Sequence, residues 1–92
     1  MFLVQIVVTI KNPTGLHARP AAAFVQAAER FEAAVWLEKD GRRVNAKSIL
    51  SVMSLGAKQG TSLKLVADGK DEAAAAATLR DLIERGLGEM VG

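Results

Sequence analysis

Apolar and polar positions alternate from Val4 to Ile10, with Val4, Ile6, Val8 and Ile10 on one side of the chain. A period of two in a run rich in β-branched residues predicts a strand with one buried face. The stretch KNPTG then breaks the pattern, because Pro13 lacks a backbone donor and Gly15 tolerates a positive φ, so a loop is expected. From Pro20 the period lengthens. Ala21, Phe24, Val25, Ala28 and Phe31 recur at helical spacing, the stripe of a helix lying on a sheet.

Alternation returns in AVWLEKDGRRVN, which predicts a hairpin: Val35 and Leu37 face the core, Asp40-Gly41 makes the turn, and Val44 faces inward on the return strand. Trp36 then points to the opposite face, where a structural role and partial exposure are expected. KSILSVMSLG predicts a short helix with Ser48 as N-cap and Gly56 as its stop. SLKLVADG alternates again, with Leu63, Leu65 and Ala67 inward. From Asp71 to about Arg85 the chain predicts a strong helix, with Asp71 and Glu72 at its positive end and a face of Ala75, Leu79, Leu82 and Ile83; Gly86 terminates it. The order is β-α-β-β-α-β-α. Strands with one apolar face and helices with one apolar stripe are satisfied by a single sheet with helices packed on one side.

Composition narrows the chemistry. Ninety-two residues suffice for one domain, residues 1–92. The 12 basic and 10 acidic residues are scattered, and no basic run is longer than Arg42-Arg43, so nucleic-acid binding is not expected. A mildly positive surface favours acidic or phosphorylated partners. With no Cys and one His, a disulfide, a thiol nucleophile and a His/Cys metal site are all excluded, and no cofactor is called for. MFLVQIVVTI lacks a basic leading region and a small-residue cleavage site, and Gln5 and Thr9 interrupt it, so it reads as a strand and not as a secretion signal. No segment approaches the roughly 20 apolar residues that cross a bilayer. A cytoplasmic protein without membrane insertion is expected, in keeping with the absence of cysteine.

The single histidine lies in PTGLHARPAAAF, at the mouth of the first helix. A neutral imidazole is a good nucleophile near neutral pH, its ordinary pKa being about 6.5. A helix N-terminus offers free N–H groups and partial positive charge, which suit a phosphoryl group. Arg19 adds a planar guanidinium fitted to phosphoryl oxygens, and phosphoryl transfer asks mainly for positioning and charge stabilisation. Two local geometries compete. Pro20 disfavours helical angles at Arg19, which would make Arg19 the cap; alternatively His17 is the cap, Ala18 and Arg19 present their amides, and Pro20 occupies the first turn, where its missing N–H costs little. No second His, no Cys and no neighbouring acid supports a hydrolytic triad.

GLHARPAAAF followed by NAKSILSVMSLGAKQGTSL resembles the two signatures of the HPr family, the histidine-containing phosphocarriers of the phosphoenolpyruvate:sugar phosphotransferase system. The resemblance runs from the first strand through the last helix. It implies an α+β open-faced sandwich, β-α-β-β-α-β-α, with a four-stranded antiparallel sheet and three helices on one face. It implies that His17 is phosphorylated on Nδ1 by enzyme I and passes the group to IIA components of sugar transporters. Such a chain carries a phosphoryl group and is not a self-sufficient catalyst. Arg19 matches the phosphoryl-engaging arginine, and the family's helix begins just after the histidine, favouring the geometry with His17 as cap and the Ala18 and Arg19 amides at the ring. Ser48 matches the serine that an HPr kinase/phosphorylase modifies in many relatives, the product serving a catabolite regulator. Ile49, Leu50 and Met53 match an exposed apolar docking patch, with Leu16 and Pro20 beside the ring as further partner-binding positions and Val52 and Leu55 in the core. Ser51 stands where glycine is common. A monomer is expected. The alternative from a different class is a regulatory binding module of the same fold, acting through Ser48 and the patch without phosphotransfer in sugar uptake.

Overall fold

The first alternating run forms β1 (Leu3–Thr9), and its inward residues deepen along the strand until Val8 and Ile10 are fully buried. The computed structural model describes residues 3–89, so the expected 1–92 domain extends at each end outside the described residues. The elements that follow are α1 (Ala18–Ala28), β2 (Ala34–Lys39), β3 (Arg42–Asn45), α2 (Ile49–Met53), β4 (Ser62–Asp68) and α3 (Glu72–Glu84). The four strands form one sheet in the order β1-β4-β2-β3, with every neighbouring pair antiparallel. β4 runs alongside β1 from Leu3↔Asp68 to Thr9↔Ser62 and alongside β2 from Ala34↔Asp68 to Glu38↔Lys64.

The predicted hairpin is present, and its turn residues Asp40 (φ 52°) and Gly41 (φ 82°) both take the left-handed backbone that a two-residue antiparallel turn demands. Helices cover one face of the sheet. Phe24 and Val25 from α1, Val52 from α2, and Leu79 and Ile83 from α3 meet Val35, Leu37, Leu63 and Leu65 from the strands in one core. Each such large side chain removed from water contributes roughly 1.5–3 kcal/mol. The helical stripe ends one turn early, because α1 stops at Ala28 and Phe31 packs on the core from the turn beyond it, half-buried.

The other face of the sheet is open to solvent but not bare. Val66 points to it from the central strand β4 and is nevertheless fully buried, between Gln5 on one side and Trp36 on the other. Trp36 is half-buried, with the Arg43 guanidinium 5.7 Å from its ring centroid. Glu38 holds Arg43 at 3.2 Å and Lys64 at 3.7 Å. These residues replace a second helical layer.

Two carboxylates act at the start of α3. The Asp71 carboxylate, expected to serve its own helix, instead accepts N–H bonds from Glu32 (2.9 Å) and Ala33 (2.8 Å), tying the α1–β2 turn to α3. Glu72 reaches back to the Gly69 N–H at 2.9 Å. No helix among the described residues is long and apolar enough to cross a membrane.

Candidate functional site

Residues 12–15 form a tight turn: the Gly15 N–H donates to the Asn12 carbonyl (3.2 Å), and Asn12 Nδ2 donates to the Gly15 carbonyl (2.7 Å). Gly15, at φ +66°, leans on the loop after α2, where a Cβ would collide with the Ala57 carbonyl and lie 2.8 Å from Lys58 Cα. Only glycine fits both the backbone angle and the space. The next amide, Leu16 N–H, donates to the Ala57 carbonyl at 3.0 Å and seats the chain on that loop.

His17 follows as the N-cap of α1, with extended backbone (φ −72°, ψ 178°) and a carbonyl that accepts the first helical bond from Ala21 N–H at 2.8 Å. Its side chain makes no capping bond and is exposed. Ala18 and Arg19 are then the first two helical residues, whose N–H groups have no partner within the helix, and Pro20 takes the third position, where no N–H is missed. Of the two geometries the sequence allows, the structure adopts the one with His17 as cap. No carboxylate belongs to this first turn itself. Arg19 is exposed and forms no ion pair among the described residues.

His17 shares an open hollow with Thr14, Leu16, Met53, Gly56, Ala57 and Lys58. The imidazole and α2 are thus brought together although 32 positions separate His17 from Ile49. On α2, Leu50 is 81% exposed and Ile49 40%, Met53 is half-buried, and Val52, with Leu55 just past the helix, enters the core as expected. Ser48 caps this helix: its Oγ accepts the Ser51 N–H at 3.3 Å. The other end is held by cations from the hairpin, Arg42 donating to the Ser54 carbonyl (2.8 Å) and Lys39 to the Leu55 carbonyl (3.2 Å).

Two expected contact residues lie deeper than the others. Leu16 is only 4% exposed, because the bond to Ala57 pulls the loop down onto the core. Pro20 is buried as well, since helical phase places it on the inward face with Ala21 and Phe24. Both support the site from beneath, and Leu16 also lines the hollow beside His17.

The sequence reading missed a carboxylate. After α3 the chain turns through Gly86, Leu87 and Gly88 and brings Glu89 back to the 12–15 turn. Glu89 Oε1 accepts from Asn12 Nδ2 at 2.8 Å, and its two oxygens accept from Thr14 Oγ1 at 2.7 and 2.8 Å. These bonds, the Asn12 amide first and the Thr14 hydroxyl second, hold the carboxyl below its ordinary pKa. The contact spans 77 positions of sequence, and its only local sign is the Gly-Leu-Gly break beyond the helix stop.

Residues 4–85, the signature positions among them, match the family described as PTS HPr component phosphorylation site. The chain is 56% identical over 70 residues to the HPr-like protein Crh of Bacillus subtilis (strain 168), covering 76% of this chain and 82% of that one. The crystal structure of HPr-C-His from Thermoanaerobacter tengcongensis superposes with a TM-score of 0.91 at 53% identity, covering 96% of this chain and 99% of that one. A crystal structure of an HPr dimer from the same organism gives 0.76 at 56% identity, covering 91% and 97%. The chain belongs to the HPr family, whose open-faced sandwich it adopts.

Proposed function

We propose that this chain is a cytoplasmic, monomeric phosphocarrier of the phosphotransferase system. The observation that carries the reading is His17 itself: an exposed imidazole at the cap of α1, unspent on capping, beside the free Ala18 and Arg19 amides. The ring nitrogen Nδ1 attacks the phosphorus carried by enzyme I; the P–N bond to His17 forms as the bond to the donor breaks. The amides and the Arg19 guanidinium receive the charge on the phosphoryl oxygens. The reverse exchange hands the group to a IIA component, and sugar uptake consumes it. Leu50, Ile49 and Met53 give both partners an apolar seat beside the ring.

Ser48 adds regulation. Phosphate on this cap, set by an HPr kinase/phosphorylase, would place a dianion at the edge of the docking patch and present it to a catabolite regulator. The similarity to Crh supports a second reading, in which Ser48 and the patch serve regulation alone and His17 is not used for sugar uptake.

Intact mass after incubation with phosphoenolpyruvate and catalytic enzyme I separates the two. An acid-labile gain of one phosphoryl group in the wild type, absent in His17→Ala, is expected. No gain with an enzyme I that charges another HPr would overturn the carrier and favour the regulator.

A further inference from the structure

The route by which Glu89 reaches the histidine loop is a costly one for the backbone. Gly86 (φ 88°), Leu87 (φ 53°) and Gly88 (φ 84°) are three successive left-handed residues, and the middle one is a leucine, which avoids that region. Its side chain is buried, 3% exposed, which secures the strained turn to the core. The turn is closed by Leu87 N–H donating to the Leu82 carbonyl (3.0 Å) and Glu89 N–H donating to the Gly86 carbonyl (2.9 Å). Left-handed Gly86 and the Leu87–Leu82 bond are an ordinary helix stop, but left-handed Leu87 and Gly88 go beyond what ending α3 at Arg85 requires.

At the far end of the turn the carboxylate meets three donors of one loop: Asn12 Nδ2, Thr14 Oγ1 and, at 3.3 Å, Thr14 N–H. Asn12 is fully buried, and the same Nδ2 group holds the Gly15 carbonyl, while its Oδ1 has no partner among the described residues. A buried amide with one end unpaired is kept in this orientation by what its other end binds. Glu89 is therefore the anchor of the Asn12 side chain, Asn12 closes the turn through Gly15, and the turn delivers Leu16 and His17 to the start of α1.

We infer that Glu89 is a positioning residue for phosphoryl transfer, fixing the aim of His17 through Asn12 and Thr14 without touching the phosphoryl group. The inference rests on the phosphocarrier reading and deepens it. A carboxylate suits the task because it accepts from amide and hydroxyl together and has no donor to misdirect. Its pKa, lowered by those same bonds, keeps it ionised wherever the carrier works. Its hydrogen bonds go to Asn12 and Thr14 and none goes to α2, so the effect is expected on the transfer step and not on docking.

Steady-state transfer from enzyme I should be measured for the wild type, Glu89→Ala and Glu89→Gln, together with ¹⁵N spectra of the Thr14 amide and the Asn12 side-chain amide. In Glu89→Ala, kcat is expected to fall about tenfold, as for a reacting group held loosely, with KM for enzyme I unchanged and both resonances displaced. Glu89→Gln, which keeps an acceptor oxygen, is expected to restore most of kcat. A wild-type kcat in Glu89→Ala, or equal losses in Ala and Gln, would overturn the positioning role while leaving the carrier intact. If the wild type takes no phosphoryl group at all, the carrier reading fails and the inference falls with it.

Discussion

Gly15 bears the sharpest steric demand in the site. Its positive φ and the Ala57 carbonyl beneath it leave no position for a Cβ, so Gly15→Ala must either strain the backbone or lift the loop from the α2 side. Sites of this kind cost about 1–3 kcal/mol for the backbone alone, and urea unfolding of Gly15→Ala is expected to show a loss in the upper part of that range. The alanine should also slow phosphoryl transfer, because Leu16 and His17 follow directly. At this scale the sequence is readable where the chemistry is local. One histidine before an Arg-Pro pair at a helix mouth announces itself, as does a serine before a short apolar run. Asn12, Thr14 and Glu89 do not, since nothing near Asn12 in the chain signals that it will be buried against a carboxylate from the other end. The burial of Leu16 and Pro20 is hidden for a related reason: proximity to His17 in sequence says nothing about which way a side chain faces.

At the scale of elements, α2 separates stability from recognition. It is a five-residue helix, too short to persist by propensity. Ser48 holds its first turn, Arg42 and Lys39 hold the Ser54 and Leu55 carbonyls just past its end, and Val52 pins it to the core. Leu50 contributes to none of these and stands 81% exposed. Leu50→Ser is therefore expected to change stability by no more than about 0.5 kcal/mol, as for an ordinary surface position. If α2 is the docking surface, the same change weakens binding of enzyme I by more than about 1 kcal/mol, the loss expected at an interface anchor. Thermal melting and calorimetric titration on one variant check both; unchanged affinity would remove α2 from the interface. The elements themselves were legible, the hairpin from Asp40-Gly41 and the helices from their stripes and caps. Where two local rules conflicted, at the start of α1, tertiary contact decided: the bond between Leu16 and Ala57 places His17 at the cap whatever the preference of the residue before a proline. Val66 is the reverse case, an outward position by alternation that Trp36 and its neighbours bury.

For the whole molecule, the two carboxylates with lowered pKa both join segments distant in sequence. Asp71 ties α3 to the turn before β2, and Glu89 ties the end of the chain to the histidine loop. Asp71 lies below its ordinary 3.8 chiefly through the Glu32 amide; burial opposes this, and the Ala33 amide and the charge on Lys47 add to it. A carboxyl whose folded pKa is depressed binds its proton more weakly in the native state than in the unfolded one. The stability it supplies is present above the unfolded value and is lost as pH falls through the folded one. For Asp71 that window opens just below 3.8, and for Glu89 just below 4.5. Tm should therefore hold near neutrality and fall as the solution is acidified through this range. Asp71→Asn tests the assignment, because the amide still offers an oxygen but carries no charge. It should melt below the wild type at pH near 7, and the gap should narrow on acidification as the wild type surrenders the same interactions. A gap that stayed constant down to the acid limit would mean that Asp71 acts through shape and not through its charge, and the acid sensitivity of the fold would then rest on Glu89 and the arm that carries it.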